Sequence, residues 1–222
     1  LHVFRKHGSQ RPAYESIVGS GPNATILHYR AGNRVLGDGE LLLIDAGCEY
    51  GYYASDVTRT FPVNGKFSAE QRAVYEVVLE AQKSSIAAVK PGTTLEAIHD
   101  GAVRSITEGL VDIGLLKGAV ASLVEEKKYE PFYMHRTSHW LGMDVHDVGR
   151  YYVDGKHRPL EPRFVLTIEP GIYIATDADG VDERWRGIGV RIEDDVLVTP
   201  TGREILTDGI PKEVDELEAA CA

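Results

Sequence analysis

Residues 41–61 read LLLIDAGCEYGYYASDVTRTF. Residues 41–46 are apolar apart from one acid, glycines interrupt the run, and residues 52–61 are again rich in aromatic and β-branched side chains. Such stretches suit the pleated, half-buried surface of a strand, and the glycine-bearing segment between them predicts a β-hairpin. A turn centred on Tyr50-Gly51 would set Asp45 directly opposite Asp56, with Cβ atoms about 4.5–5.5 Å apart. Two carboxylates that close repel and raise a pKa unless a cation lies between them. Two solvated acids flanking a turn would give the same spacing, so the pair takes its meaning from the rest of the chain.

Working outward, LHVFRKHG at the start reads as the end of an amphipathic helix rather than a signal peptide. Residues 16–19 and 24–29 are predicted as short strands split by the turn signal GSGPN. After the hairpin, Ser68 followed by Gln71 forms a capping box, and Pro91-Gly92 closes a helix over residues 68–90. Thr93 with Glu96 repeats the signal, and Leu95, Ile98, Ala102, Ile106 and Leu110 recur at helical spacing up to about Gly114. A further helical stretch is expected over 119–126, then strands and loops, with strands over 164–174 and 188–198. Two hairpin-like, carboxylate-bearing segments thus flank the helices and suggest two related halves.

The 222 residues suffice for one large domain with a substantial core. Hydrophobic residues make up 43% and charged residues 26%, a globular composition. A net charge of -10 opposes nucleic-acid binding, which needs a basic face. No run of about 18 apolar residues is present to span a membrane. Cys48 and Cys221 lie far apart and form no CxxC pair, which suits a reducing cytoplasm without excluding secretion, and no disulfide is expected.

A second pair of acids lies in the later strands. Glu169 ends the apolar run FVLTIEP, where Pro170 keeps it extended. Glu193 lies in RIEDDVLV, where period-two alternation puts Arg191 and Glu193 on one face and Ile192 on the other. His139 and His146 are too far apart for the i, i+4 zinc pair of a helix and need not share a role. His2, His7, His99 and His157 carry no motif and read as structural.

The blocks LLLIDAGCEYGYYASDVTRTF, FYMHRTSHWLGMDVHDVG, LTIEPGIYI and GVRIEDDVLVTPTG, in this order, closely resemble the Xaa-Pro aminopeptidase (aminopeptidase P) family, peptidase family M24. The resemblance covers nearly the whole chain. It implies the α+β pita-bread (creatinase/aminopeptidase) fold: two pseudo-symmetric halves, with a curved, mostly antiparallel sheet covered by helices. It also implies one metallopeptidase catalytic domain over residues 1–222, without the N-terminal domain that family members typically carry.

By this resemblance Asp45 binds one of two divalent metals, Asp56 and Glu193 bridge both, and His139 with Glu169 completes the ligand set of the second metal. One imidazole and four carboxylates suit manganese, the family expectation, better than a thiolate zinc site would. The implied reaction is release of the N-terminal residue from peptides with a free amino terminus and proline second, by a hydroxide held between the metals. Glu169 would also carry the proton to the leaving nitrogen, and His146 would stabilise the oxyanion. His28 and His135 would position the peptide, and Arg191 would orient the carboxylates. A prolidase cutting Xaa-Pro dipeptides, or a non-catalytic pita-bread module binding peptides or proteins, are the alternatives. A cytoplasmic site of action is expected from the cysteine usage, and the family pattern adds a homo-oligomer for the full-length protein. Arg136 stands where relatives often have glycine, placing a bulky cation beside His135.

Overall fold

The structure, a computed structural model, describes residues 1–221. A short helix, α1 (His2–Lys6), leads into β1 (Arg11–Pro12) and β2 (Ile17–Ser20). The expected strand over residues 24–29 does not form. Gly21–Thr25 is instead a 3-10 turn, opened by Gly21 at φ +53° with Pro22 in its first turn, and the chain stays irregular to Gly39.

The hairpin forms in segments: β3 (Leu41–Asp45), β4 (Cys48–Tyr50), β5 (Tyr53–Ala54) and β6 (Thr58–Pro62). Its turn is Gly51-Tyr52, one residue later than expected. Both residues have positive φ, +56° and +75°, the pairing that a two-residue hairpin with native twist requires. The shift moves the register by two, so Asp45 faces Thr58 rather than Asp56. Because side-chain direction repeats every two residues, Asp56 still points to the same side as a diagonal neighbour. Gly47 lets the strands close here, since a Cβ at that position would lie 1.7 Å from the Ser55 carbonyl oxygen.

Next come α2 (Ala69–Ala88), α3 (Leu95–Asp112) and α4 (Val120–Glu125). The capping box of α2 is present: Ser68 Oγ accepts from the Gln71 N–H, and Gln71 Oε1 accepts from the Ser68 N–H. Helix α3 is capped by Thr94, not Thr93. Thr94 itself forms an isolated antiparallel bridge with Pro159, and the Thr93 carbonyl accepts from the Leu160 N–H at 2.7 Å, so the helix starts one residue later.

The second half holds β7 (Tyr152–Val153), β8 (Lys156–His157), β9 (Val165–Ile168), β10 (Gly171–Tyr173), β11 (Gly189–Arg191), β12 (Asp194–Thr199) and β13 (Gly202–Ile205). The chain then turns into α5 (Val214–Ala220). The two strands expected over 164–174 and 188–198 are each broken, at Glu169-Pro170 and at Ile192-Glu193. Strand β9 pairs with β12 and β10 with β11, so the two breaks lie side by side. Every named strand pair is antiparallel, and three-stranded sheets of order β2-β3-β6 and β13-β12-β9 stand one in each half.

Helix α2 lies over both the β10-β11 and the β9-β12 pairs. Val74, Tyr75 and Val78 pack with Ile172, Val190 and Ile192, while Ile86 joins Leu166, Ile168 and Val196 in a second cluster. Full burial of such side chains contributes roughly 1.5–3 kcal/mol each, which holds the sheets together behind the strand breaks. The buried triplet Thr58-Arg59-Thr60 stitches the halves directly: Thr58 O accepts from the Glu193 N–H at 3.1 Å, and Thr60 Oγ1 donates to Arg191 O at 3.0 Å. Both cysteines are free, and among the described residues no helix is long and apolar enough to cross a membrane.

Candidate metal centre

Asp45 ends β3, Asp56 lies just before β6, and Glu169 and Glu193 occupy the paired strand breaks. His139 comes from a loop tied to the edge of β9, where its carbonyl accepts from the Thr167 N–H at 3.0 Å. All five line one cavity of about 960 Å³. The tightest group is Asp56, His139 and Glu193, whose donor atoms all lie within 4.8 Å of one another. His139 Nε2 is 3.4 Å from both Asp56 Oδ2 and Glu169 Oε1. Its Nδ1 faces the Trp140 carbonyl at 3.0 Å, an oxygen that can only accept. The proton therefore sits on Nδ1 in the neutral ring, leaving the Nε2 lone pair directed at the acids, the tautomer a metal ligand needs.

Asp45 joins the group through two intermediaries. Tyr14 hydroxyl contacts Asp45 Oδ1 at 2.5 Å and also Asp56 Oδ1. Arg191 Nη2 donates to Asp45 Oδ2 at 2.6 Å, its Nη1 to Tyr173 hydroxyl at 3.0 Å and its Nε to Thr58 Oγ1 at 3.2 Å. Thr58 Oγ1 in turn donates to Glu193 Oε2 at 2.6 Å. Among the described residues, Glu193 Oε1 is buried without a hydrogen-bond partner.

This crowding is electrostatically unfavourable as it stands. Burial, and then neighbouring carboxylates, push Glu193 far above the ordinary carboxylate range; burial raises Glu169 to about 7 and raises Asp45 as well. His139 is raised too: burial works against its charge, but Asp56 and Glu169 outweigh burial. Four buried or nearly buried carboxylates face one guanidinium, so the pocket calls for added positive charge. The orphaned oxygen of Glu193, the free Nε2 of His139 and the oxygen-rich donor set fit hard divalent cations.

The profile of metallopeptidase family M24 matches residues 1–200. The chain belongs to metallopeptidase family M24. The Xaa-Pro aminopeptidase of Haemophilus influenzae is 55% identical over 218 residues, which are 98% of this chain and 50% of that protein. Among solved structures, an aminopeptidase of Pseudomonas aeruginosa superposes with a TM-score of 0.98 at 57% identity, covering 99% of this chain and 50% of that one. Escherichia coli aminopeptidase P with the inhibitor Pro-Leu gives 0.96 at 52% identity over 99% of this chain and 50% of that one. This M24 chain thus spans about half the length of the relatives it matches.

The remaining residues expected at the M24 site also face the cavity: His28, His135, His146 and Arg191. His146 sits edge-on to His139 with ring centroids 4.4 Å apart, and burial lowers its basicity. His135 Nδ1 donates to the Arg136 carbonyl at 2.9 Å, so its Nε2 accepts from Tyr173 hydroxyl at 2.8 Å. Burial, helped by the charge of Arg191, lowers His135 to about 3 and keeps it neutral. A continuous chain of polar contacts therefore runs from Asp45 through Arg191 and Tyr173 to His135.

Several residues at the centre were not foreseen. Tyr14 lies in RPAYES, which carries no motif. Tyr173 and Thr58 were visible only as strand residues. Asp195, whose Oδ2 accepts from the Asp56 N–H at 3.1 Å, was hidden in a run of acids. His157, read as structural, lines the cavity instead, 4.0 Å from Glu96. His99 does keep a structural place, its Nδ1 bonded to Thr137 Oγ1 at 2.8 Å.

Proposed function

We propose that residues 1–222 form the catalytic domain of an Xaa-Pro aminopeptidase, releasing the first residue of peptides that carry a free amino terminus and proline second. The observation that carries this reading is the convergence of Asp45, Asp56, His139, Glu169 and Glu193 on one cavity, with Glu193 Oε1 left unpartnered. These five would hold two divalent ions, manganese in this reading. When bound, the ions would supply Lewis-acid activation of water and of the scissile carbonyl.

The other steps belong to side chains. Proline's nitrogen has no N–H in the peptide and must be protonated as it leaves. Glu169 is assigned to carry it there from its place at the strand break beside His139; burial pushes its carboxyl up to about 7 without metal, and bound cations would favour its ionised, proton-accepting form. Neutral His135, fixed by Tyr173, and His28 are assigned to position the peptide. His146 is assigned to donate to the oxygen on which charge develops. Arg191 works against the upward push of burial on Asp45 and aims its carboxylate, since its fork matches carboxylate geometry. The Pro-Leu bound to the Escherichia coli relative has proline first, as a product of this cleavage would. A cytoplasmic site of action and a homo-oligomeric full-length protein belong to the same proposal.

The test is to load the protein with manganese, count the ions and supply Ala-Pro-Ala and Ala-Pro separately. Alanine release from the tripeptide, lost in Glu169→Gln, is expected. Hydrolysis of the dipeptide alone would replace this reading with a prolidase, and fewer than one ion per chain with a binding module.

A further inference from the structure

Arg136 lies on the wall of the same cavity, one residue after His135 and three before His139, on a loop that also carries two of the assigned site histidines. Three residues span at most roughly 10 Å, so its backbone cannot be farther than that from the metal-facing histidine. A carboxylate on the third residue of a peptide, counted from a cleaved first bond, lies about two residues, or roughly 7 Å, from the reacting carbonyl. The guanidinium on its long stem is therefore within reach of that group.

Its bonding leaves it available. Arg136 Nη2 is bonded to Glu96 Oε2, with Glu96 on the first turn of α3, and the Arg136 side chain stays 55% exposed. An arginine offers five N–H donors in a rigid fork, and among the described residues the Arg136 side chain uses one. The other cavity-lining arginines outside the metal centre are Arg158, which is more fully engaged, and Arg30, which like Arg136 has one carboxylate partner. Arg158 is bonded to Glu161 through both Nε and Nη2, and its guanidinium lies 4.4 Å over the Phe164 ring. Arg30 is drawn to Glu15 at 3.3 Å. Glu96 thus holds one edge of the Arg136 fork in place and leaves the rest facing the cavity.

Building on the Xaa-Pro aminopeptidase reading, we infer that Arg136, anchored by Glu96, is a specificity-determining residue that binds a carboxylate on the third residue of the substrate. The chemistry required is a carboxylate at that distance, supplied either by the C-terminus of a tripeptide or by an acidic side chain in a longer peptide. The acidic floor takes the substrate's ammonium end, and this arm of the wall takes its anionic one. Charge-assisted hydrogen bonds are worth more than neutral ones, but exposure reduces the gain, so the preference should be about 3- to 10-fold in kcat/KM.

The experiment compares the manganese-loaded parent with Arg136→Gln and Arg136→Glu on Ala-Pro-Ala, Ala-Pro-Ala-amide, Ala-Pro-Asp-amide, Ala-Pro-Asn-amide and Ala-Pro-Lys-amide. The parent is expected to favour Ala-Pro-Ala over its amide, or the Asp over the Asn peptide, with the difference carried in KM. Preference for the first alone identifies the C-terminal carboxylate, and for the second alone the side chain. Arg136→Gln should bring the ratios to about one, and Arg136→Glu should turn the preference towards lysine. Cleavage without a carboxylate preference, or a preference that persists in both variants, overturns the inference while leaving the peptidase reading intact. If the parent cleaves none of the five peptides, the peptidase reading falls and the inference falls with it.

Discussion

Tyr14 places one phenolic proton between two carboxylates. Burial, and then the charges of Asp56 and Asp45, push its hydroxyl far above the usual range, so the proton stays and is donated to one acid at a time. The hydroxyl thereby fixes the spacing of Asp45 and Asp56, which the strand register alone does not. Replacing it by Tyr14→Phe removes a partner of two assigned ligands without removing a ligand. Loss of such outer partners typically weakens metal binding about 10- to 100-fold. Manganese titration by calorimetry should show a drop of that order with the fold retained, and an unchanged affinity would remove Tyr14 from the site. At this scale the acids were legible because each interrupts an apolar or β-rich run, as Asp45 does in LLLIDAG and Glu169 in VLTIEPG. Tyr14 was not, since nothing local distinguishes a tyrosine whose partners lie 31 and 42 positions away.

At the level of elements, strands interrupted at the functional residues position the centre. Periodicity found the strands but ran them through the breaks, because the apolar pattern continues across Glu169-Pro170 and Ile192-Glu193. It also placed the hairpin turn one residue early, since nothing in the sequence marks Tyr52 as able to adopt positive φ. The strand predicted over residues 24–29 has suitable composition but gains no pairing partner, and the 3-10 turn at Gly21–Thr25 packs there instead. What holds the Glu193 break from behind is a buried ionic cluster. Asp194 is bonded to Arg59 at 2.7 Å, Lys212 at 2.6 Å, Gln82 at 2.7 Å and Thr207 at 2.7 Å, while Arg59 Nη1 also donates to the Glu193 carbonyl at 2.6 Å. Asp194→Ala would leave two buried cations without their acid. Breaking a buried pair from one side costs about 3–5 kcal/mol. Urea unfolding of the variant should register a loss of that size, and a loss below about 1 kcal/mol would mean that the cluster is replaceable by water.

For the molecule as a whole, the centre couples metal, pH and stability. Without metal, burial raises Glu169 from 4.5 to about 7 and Asp195 from 3.8 to about 7, so the folded state binds more protons than the unfolded one between those limits. These two groups make stability fall as pH rises through that window, because the unfolded chain releases their protons first, whereas His99 and His135, which burial lowers to about 4 and about 3, oppose them until the unfolded histidines have lost their protons near 6.5. His139, raised mainly by Asp56 and Glu169 against burial, acts in the same direction. Asp194, which Arg59 holds low despite burial, titrates below the window and does not oppose it. Metal reverses the sign. Ligand carboxylates must be ionised to bind a cation, so the stabilisation from manganese grows with pH, and at about a thousand times the dissociation constant it reaches about 4 kcal/mol. Thermal unfolding should therefore show the metal-free protein losing stability from pH 6.5 to 7.5, where the histidine opposition has ended, with the gap to the manganese-loaded protein widening over the same range. A metal-free protein that becomes more stable towards pH 7.5 would mean that the five side chains are not crowded as described, and the case for two cations would lose its electrostatic basis.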